Sequence, residues 1–544
     1  MKKNSKENDF ALLKIVGLAY NGFGIGKFIK SEESDKITFV DYACTDDLLR
    51  VKIYEEHKRY NFGKIDEIIA PSPIRIKPVC PHFTICGGCN YLNIPYDYEI
   101  YWKKKIFENE FKKMRSSIKS EDCKSANEHK KQENYNNHKN YANFGNKENI
   151  SNVNLENYAN KNHENICNDE NIEFSKYFPE NLQESLTEKI DIIKSDDFLH
   201  YRQKISLKVY SDESIGFFKK NSHYVVDVDY CYLASNEINI MIKKVRNFFL
   251  ENNQNLLKKV KSIILTYTGI ENAIFQLKEE LSGKEKKLLL NLDINKIYIE
   301  FNKIINESLN NNTDNNTNNN IDTDKDYFAI NEVKFAHEVL SFIQVNKKQN
   351  EYLINFIVDY LINYLKTYNN NYKNNKNDYK FESVLDLYCG YGNITFFTIP
   401  FTSNVIGVES NPYSIKLANK NIILNNDLIK YCKSGRQEKK LNISFINENV
   451  EDFLRNSVKN NLIYDLIIID PPRAGIKGLV PHIIKLNPEV VIYVSCDPLT
   501  LLRDLKVFIS EGYFIDDIKL IDMFPRTYHI ESLVFLNRKK IDKK

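Results

Sequence analysis

The chain has 544 residues, with 76 Lys plus Arg against 73 Asp plus Glu and a formal net charge of +3. That length predicts several domains, and the balance of charge excludes a chain that is basic throughout, so any nucleic-acid surface must be a local patch. No apolar run is long enough to span a membrane, and the start Met1-Lys2-Lys3-Asn4 is not followed by the apolar stretch of a secretory signal.

Residues 1–76 read as a small all-β domain. Leu12-Leu13-Lys14-Ile15, Ile37-Thr38-Phe39-Val40 and Leu49-Arg50-Val51-Lys52-Ile53 are strand candidates, and Tyr20-Asn21-Gly22-Phe23-Gly24-Ile25-Gly26 between the first two reads as a glycine-rich turn. With Ser72-Pro73-Ile74-Arg75 at its end, this order resembles the TRAM domain, an RNA-binding OB-like barrel attached to RNA-modifying enzymes.

The cysteine cluster Cys80-Pro81-His82-Phe83-Thr84-Ile85-Cys86-Gly87-Gly88-Cys89 follows at once. Three thiolates at C-x5-C-x2-C suit one metal centre, and a closed site needs a fourth ligand. Of the remaining cysteines, Cys123 and Cys167 flank or sit in low-complexity sequence, whereas Cys231 follows the ordered stretch Tyr224–Tyr230 and is the expected fourth ligand. Spacing alone does not separate zinc from a [4Fe–4S] cluster. It is not the C-x3-C-x2-C spacing of radical S-adenosylmethionine enzymes. Ten cysteines, scattered apart from this group, suit a reducing compartment, read as the cytoplasm, with metal-bound or catalytic thiols.

An amphipathic helix is predicted over 96–114, with Ile100, Phe107, Phe111 and Met114 on one side, and is a candidate to pack on the catalytic domain. Residues 77–330 form an expected central α+β domain, interrupted by Asn-rich insertions at 116–192 and 307–325 whose composition buries too little apolar surface to offset ordering entropy. Between the insertions, 198–302 read as mainly strands, with aromatic and cationic residues interleaved in Tyr201-Arg202-Gln203-Lys204 and Gly216-Phe217-Phe218-Lys219-Lys220, a pattern suited to bases and phosphates.

Residues 331–544 alternate strands and helices, which predicts an α/β Rossmann-like domain. Val384-Leu385-Asp386-Leu387 runs into Tyr388-Cys389-Gly390-Tyr391-Gly392-Asn393, a strand and a glycine-rich turn opening a helix. A second strand, Asn404–Val408, ends in Glu409, placed where an acid accepts hydrogen bonds from a ribose diol. The turn lacks a third glycine and suits S-adenosylmethionine better than a pyrophosphate. Asp465–Ile469 is a buried strand from which Asp470-Pro471-Pro472-Arg473 emerges. Val490–Val494 is another, and it runs into Ser495-Cys496-Asp497-Pro498, with Asp497 able to cap a helix and Pro498 suited to its first position. Cys496 is thus expected where a strand ends and a helix N-terminus begins, a place that stabilises a thiolate, and in one crevice with Asp470.

Taken together, Ser341-Phe342-Ile343-Gln344-Val345-Asn346, the Asp386–Asn393 turn, Asp470-Pro471-Pro472-Arg473-Ala474-Gly475, Tyr493-Val494-Ser495-Cys496 and the stretch Asp522–Glu531 resemble, in order, the RNA uracil-5 methyltransferases, specifically the ribosomal RNA branch with a TRAM domain and an iron–sulfur cluster. The resemblance implies that Gln344, Tyr388, Asn393, Glu409, Asn449 and Asp470 contact S-adenosylmethionine. It implies that Cys80, Cys86, Cys89 and Cys231 hold a [4Fe–4S] cluster, that Cys496 is the nucleophile and that Glu531 is the base. It also implies a cytoplasmic monomer whose partner is RNA, ribosomal before transfer RNA, with no membrane and no obligate protein partner. Two positions depart from the family pattern: Asp497 stands where Asn is usual, its charge opposing the helix terminus at Cys496, and Ile343 replaces a common Phe.

Uracil C5 is too weak a nucleophile to attack a methyl sulfonium unaided. Addition of a thiolate at C6 pushes charge onto C5, and a carboxylate must later remove the C5 proton, so a cysteine and a carboxylate are the minimum equipment. A transfer-RNA uracil-5 methyltransferase is the main alternative. An amino-group methyltransferase, suggested by Asp470-Pro471-Pro472, needs neither Cys496 nor Glu531, and usually has an aromatic residue where this chain has Arg473. A non-catalytic RNA-binding module leaves the donor site and nucleophile unexplained.

Overall fold

A computed structural model of the chain describes residues 10–29, 36–125, 190–210, 213–302, 304–310, 327–336, 344–371, 381–434 and 441–538. The bulk of the Asn-rich insertions, Cys167 and Ser341-Phe342-Ile343 lie outside the described residues, as does the side chain of Cys123. Contacts group the chain into two units: Met1–Thr84, Cys89–Lys189 and Arg526–Tyr528 form one, and Ile85–Gly88, Ile190–Pro525 and His529–Lys544 the other.

The first unit opens with a closed barrel of five strands, β1 (Phe10–Leu18), β2 (Phe23–Phe28), β3 (Ile37–Asp41), β4 (Leu48–Glu56) and β5 (Tyr60–Ala70), in the order β1-β2-β3-β5-β4. The glycine-rich stretch read as a turn is a turn only as far as Gly22; from Phe23 it is strand β2. A Cβ at Gly24 would come 2.7 Å from Ala43 Cβ and one at Gly26 2.9 Å from Leu13 Cδ1, so these glycines admit close packing across the small barrel. Leu13, Ile15, Val40, Leu49 and Val51 fill it.

Helix α1 (Tyr96–Ser125) runs longer than the predicted 96–114. Ile100, Phe107, Phe111 and Met114 are buried, as their spacing requires. Glu99 and Lys103, one turn apart on α1, are buried together as an ion pair of 2.7 Å. The same carboxylate accepts the Arg526 N–H at 2.8 Å, and the Arg526 guanidinium donates to the carbonyls of Ile94 (2.9 Å) and Tyr91 (3.3 Å). The buried charges are thus paired and hydrogen-bonded, the condition for tolerating them away from water.

The second unit contains two large sheets. One has seven strands: β7 (Lys204–Val209), β8 (Ile215–Phe218), β9 (Val225–Asp227), β10 (Val260–Tyr267), β11 (Glu271–Leu277), β12 (Lys296–Phe301) and β13 (Ile304–Asn310), in the order β13-β12-β11-β10-β7-β8-β9. Helix α2 (Asn236–Asn252), capped by the Ser235 hydroxyl, lays Ile238, Met241, Ile242, Val245 and Phe249 on it. A small hairpin, β14 (Tyr327–Ile330) and β15 (Val333–Ala336), follows.

The other sheet has eight strands, in the order β18-β17-β16-β19-β20-β22-β21-β6. Its parallel part is β18 (Asn442–Asn447), β17 (Asn404–Glu409), β16 (Val384–Leu387), β19 (Leu466–Ile469) and β20 (Val490–Ser495). Strand β22 (Glu531–Arg538) lies antiparallel between β20 and β21 (Tyr513–Ile521). Strand β6 (Asp191–Ile193), which straddles the end of the stretch read as an insertion, adds to β21; its pairing partner lies more than 300 residues away, so local composition carried no sign of it. Strands β16, β19 and β20 are buried along their whole length, which is why they read as apolar runs, interrupted in β16 by the buried Asp386. Around the sheet lie α3 (Lys347–Asn371), α4 (Pro412–Leu424), α5 (Val450–Lys459) and α6 (Pro498–Ser510), with shorter helices between them. Leu353, Ile354, Ile357 and Leu361 of α3 pack in one core with Val384, Leu466, Val490 and Phe535. The strand order reverses direction at β16, the point at which α/β sheets open a crevice beyond the strand ends.

Candidate active site

Every parallel strand of this sheet delivers a singled-out residue at its C-terminal end. Tyr388 follows β16, Glu409 ends β17, Asn449 stands two residues past β18, Asp470 follows β19 and Cys496 follows β20. The turn after β16 is left-handed at Tyr388 (φ 62°), Gly390 (φ 56°) and Gly392 (φ 89°), a sharp reversal that two glycines allow. The Glu409 carboxylate reaches back to this turn, accepting the Gly390 N–H at 3.3 Å, and also accepts the Asn411 N–H at 2.7 Å. Burial raises the Tyr388 hydroxyl to about 12, helped by the charges of Glu451, Asp504 and Glu409.

Behind the turn lies Asp386, which is buried. Its Oδ2 accepts the Thr395 hydroxyl at 2.5 Å, while Oδ1 has no hydrogen-bond partner. Burial pushes this carboxyl up to about 7, the Thr395 bond pulls it down, and Asp470 and Glu409 push it up again. Asp470 is likewise raised to about 7 by burial.

Cys496 and Glu531 are neighbours through register. Ser495 on β20 pairs with Ser532 on the antiparallel strand β22. The preceding residue of β22, Glu531, therefore lies opposite the residue that follows Ser495, which is Cys496. Glu531 is buried and held well above the usual carboxylate range, by burial first and then by the charge of Asp470. Cys496 is half-buried, and its thiol is pushed up to about 12 by burial and then by Glu531. Arg473 opposes the rise, and Asp470 and Asp497 add to it. The helix terminus expected beside Cys496 is present, since Asp497 caps α6, accepting the N–H groups of Leu499 and Thr500 at 3.0 Å each, but burial and the surrounding carboxyls push the thiol in the opposite direction.

Asn393 is held by a residue the sequence reading missed, one that lines a cavity with Gln344. Asn350 of α3 exchanges two amide hydrogen bonds with Asn393, at 3.0 and 2.9 Å. Asn350, Gln344, Tyr391, Gln203 and Tyr267 line a cavity of about 380 Å³. The Asn449 side chain accepts the Glu451 N–H at 2.8 Å and caps α5, so its amide oxygen already has a structural partner.

Among the metal-ligand candidates, Cys80 and Cys89 belong to the first unit and Cys86 and Cys231 to the second. Cys86 bridges to Lys219 beside β8, and the Cys231 N–H is held by Asn239 Oδ1 at 2.8 Å. Among the described residues, no group of three or more His, Cys, Asp and Glu is arranged to hold a metal ion.

Arg473, His529 and Asp504 were also missed as functional candidates. Arg473 Nη2 lies 2.9 Å from His529 Nε2. Asp504 had a legible signal: it falls on the buried stripe Leu501, Leu505, Phe508 of α6, where an acid needs a partner.

The sequence profile of the tRNA (uracil-5-)-methyltransferase family matches residues 169–539. The 23S rRNA (uracil(1939)-C(5))-methyltransferase RlmD of Histophilus somni is 23% identical over 99% of this chain and 98% of its own length. An uncharacterized RNA methyltransferase of Clostridium tetani is 27% identical over 98% and 97%. Among solved structures, the Pyrococcus abyssi tRNA (uracil-54, C5)-methyltransferase in complex with S-adenosyl-L-homocysteine has a TM-score of 0.59 at 19% identity, covering 98% of this chain and 100% of that one, a likeness of fold. The profile match takes in every strand of the eight-stranded sheet and both Cys496 and Glu531, and the chain accordingly belongs to the tRNA (uracil-5-)-methyltransferase family, enzymes that methylate C5 of uridine in RNA.

Proposed function

We propose that the chain methylates a uridine of 23S ribosomal RNA with S-adenosylmethionine as donor, through a covalent bond between Cys496 and C6. The observation that carries this reading is the β20–β22 register, which pairs Ser495 with Ser532 and so sets Cys496 beside Glu531. The curated relative with a named RNA substrate that matches nearly the full length of both chains is a 23S rRNA methyltransferase, which supports ribosomal RNA.

S-adenosylmethionine supplies an electrophilic methyl group. The Cys496 sulfur adds to C6, and the C5=C6 electron pair moves toward C5 and O4. C5 then takes the methyl group, and the thioether S-adenosylhomocysteine departs. The Glu531 carboxylate removes the C5 proton, the C5=C6 bond reforms, and the Cys496 thiolate is expelled. Burial pushes both side chains toward their protonated forms, and each acts in its step only after giving up its proton. The target base must leave its stack to be reached from both faces. Gln344, Tyr388, Asn393, Glu409, Asn449 and Asp470 are the proposed donor contacts; the strand-end positions of four of them and the place of Gln344 on the cavity support this.

The N-terminal barrel is read as a TRAM domain that binds RNA, and the three regions 1–76, 77–330 and 331–544 as its functional divisions. The donor chemistry of Cys80, Cys86, Cys89 and Cys231, four thiols in a reducing cytoplasm, fits a [4Fe–4S] cluster with a structural or RNA-positioning role. The protein is read as a cytoplasmic monomer.

Mapping 5-methyluridine in ribosomal and transfer RNA from cells lacking this protein tests the substrate. Loss of one or two sites in 23S ribosomal RNA is expected. Loss confined to transfer RNA moves the reading to that substrate, the one named for the Pyrococcus abyssi structure. No loss in either overturns it.

A further inference from the structure

Helix α6 begins just after Cys496, and it also grips the loop that follows Asp470. Thr500 Oγ1 lies 3.1 Å from the Arg473 carbonyl and 3.1 Å from that of Asp497, and its one proton is shared between them. Arg503 Nη2 donates to the Ala474 carbonyl at 3.0 Å. Asp504, itself buried, accepts the Ile476 N–H at 3.0 Å and the Tyr493 hydroxyl at 2.8 Å on Oδ2, and Arg503 Nε at 2.9 Å on Oδ1. Gly475 (φ 66°) is seated against the same two side chains: a Cβ there would stand 2.6 Å from Asp504 Oδ2 and 2.7 Å from Arg503 Nη2. Three consecutive residues of the loop, Arg473 to Gly475, and the N–H of the next are thus fixed from one helix. At the far end of Arg473, the guanidinium is anchored on His529, two residues before Glu531.

We propose that Arg473 is the counter-charge of the Cys496 thiolate, and that Thr500, Arg503 and Asp504 are positioning residues that hold it there. This rests on the reading of Cys496 as the nucleophile. Ile469 of β19 pairs with Tyr493 of β20, so Arg473 and Cys496 leave the sheet at adjacent strand ends, and Thr500, in the first turn of α6, reaches the Arg473 carbonyl. The charges that act on the Cys496 thiol are those of Glu531 from β22, Asp470 and Arg473 from the end of β19, and Asp497 from the start of α6. Three are carboxyl groups and one is a cation. When Cys496 gives its proton to a solvent base, the negative charge left on sulfur has Arg473 as its one favourable charged neighbour among these four. A helix that begins two residues after the nucleophile and carries the clamp on its counter-ion keeps the two in fixed relation. The loop alone, with a glycine at its centre, would not.

The test uses the full-length protein and alkylation of Cys496, read on its own peptide by mass spectrometry so that the other cysteines do not interfere. Arg473→Gln is expected to slow reaction with iodoacetamide at pH 8.5 by about tenfold, the change in thiolate fraction for a one-unit rise in thiol pKa. Thr500→Val and Asp504→Asn, with Arg473 in place, are expected to slow it by about threefold, a half-unit rise. Thr500→Ser keeps the hydroxyl and is expected to react as the wild type. The ratio of the rates with anionic iodoacetate and neutral iodoacetamide separates charge from mere loosening: loss of a positioned cation lowers it, whereas a change in access moves both rates together. An unchanged rate and ratio in Arg473→Gln overturn the counter-charge role. A fall in Arg473→Gln without any in Thr500→Val and Asp504→Asn overturns the positioning role. If Asp504→Asn does not fold, the Thr500→Val and Thr500→Ser pair decides. Alkylation does not depend on turnover, so this outcome is independent of whether Cys496 proves to be the nucleophile; methylation by Cys496→Ala decides that separately.

Discussion

Ser495 and Ser532 face each other across the antiparallel pair β20–β22, and this one pairing brings Cys496 and Glu531 together at the edge of the crevice. Thirty-five residues separate the two in sequence, including the whole of α6 and β21. Because the register of β22 is fixed by apolar residues such as Leu533 and Phe535 buried in the core, a slip of one residue would turn those side chains out and carry Glu531 away from the thiol.

Cys496→Ala is expected to reduce methyl transfer by roughly 10⁴-fold or more, because a covalent step has no partial substitute. Donor binding, measured by calorimetry with S-adenosylhomocysteine, should survive. Wild-type methylation in a single-turnover assay would sink the covalent mechanism.

Glu531→Gln should trap the enzyme on its RNA. Addition at C6 and methylation at C5 do not need the base, but removal of the C5 proton does. The expected product is a denaturant-resistant protein–RNA adduct that already carries the new methyl group, and adding Cys496→Ala should erase it. Turnover at the wild-type rate without an adduct would show that Glu531 is not the base.

Donor binding should strengthen with rising pH. Asp470 is raised to about 7 by burial and titrates together with Glu531, so negative charge at this end of the crevice grows as pH rises from about 6 to about 8. A cationic sulfonium prefers the ionised form, and its affinity should rise by up to about tenfold across that window. Calorimetry in buffers of different ionisation enthalpy should register proton release on binding. A flat affinity profile would place Asp470 away from the donor.

Asp386→Asn should stabilise the chain at neutral pH. The carboxyl is raised to about 7 in the fold, so the folded state binds more protons than the unfolded one between about pH 4 and 7, and stability falls as pH rises through that window. The amide does not ionise and can still accept from Thr395. The gain should be roughly 2–4 kcal/mol at pH 8 and near zero at pH 4. Thermal melts across pH check it; equal losses of stability with pH in both proteins would show that burial of this charge is not the cause.

The cysteine group should hold iron and acid-labile sulfide after anaerobic purification. Cys231→Ser should lose both, and Cys123→Ser and Cys167→Ser should lose neither. Zinc without sulfide would refute the cluster, and loss of metal in Cys123→Ser or Cys167→Ser would refute the choice of Cys231.

The strands that end in Ile469 and Ser495 were legible because parallel strands buried on both faces are apolar runs, and those that end in Leu387 and Glu409 because one runs into a glycine-rich turn and the other into an acid at the strand's mouth. The sequence alone therefore determined which of these side chains stand at the crevice, and the order in which the chain supplies them. It could not place Glu531 against Cys496, because β22 enters the sheet between β20 and β21 out of sequence order. It could not find Asn350, whose partner Asn393 lies 43 residues away, or β6, whose partner strand lies more than 300 residues away. Nor could it weigh the ionisation of Cys496. The helix terminus that favours a thiolate is local and visible in Asp497-Pro498. The charges of Glu531 and Asp470 that oppose it come from β22 and the end of β19, and only the packed sheet brings them together.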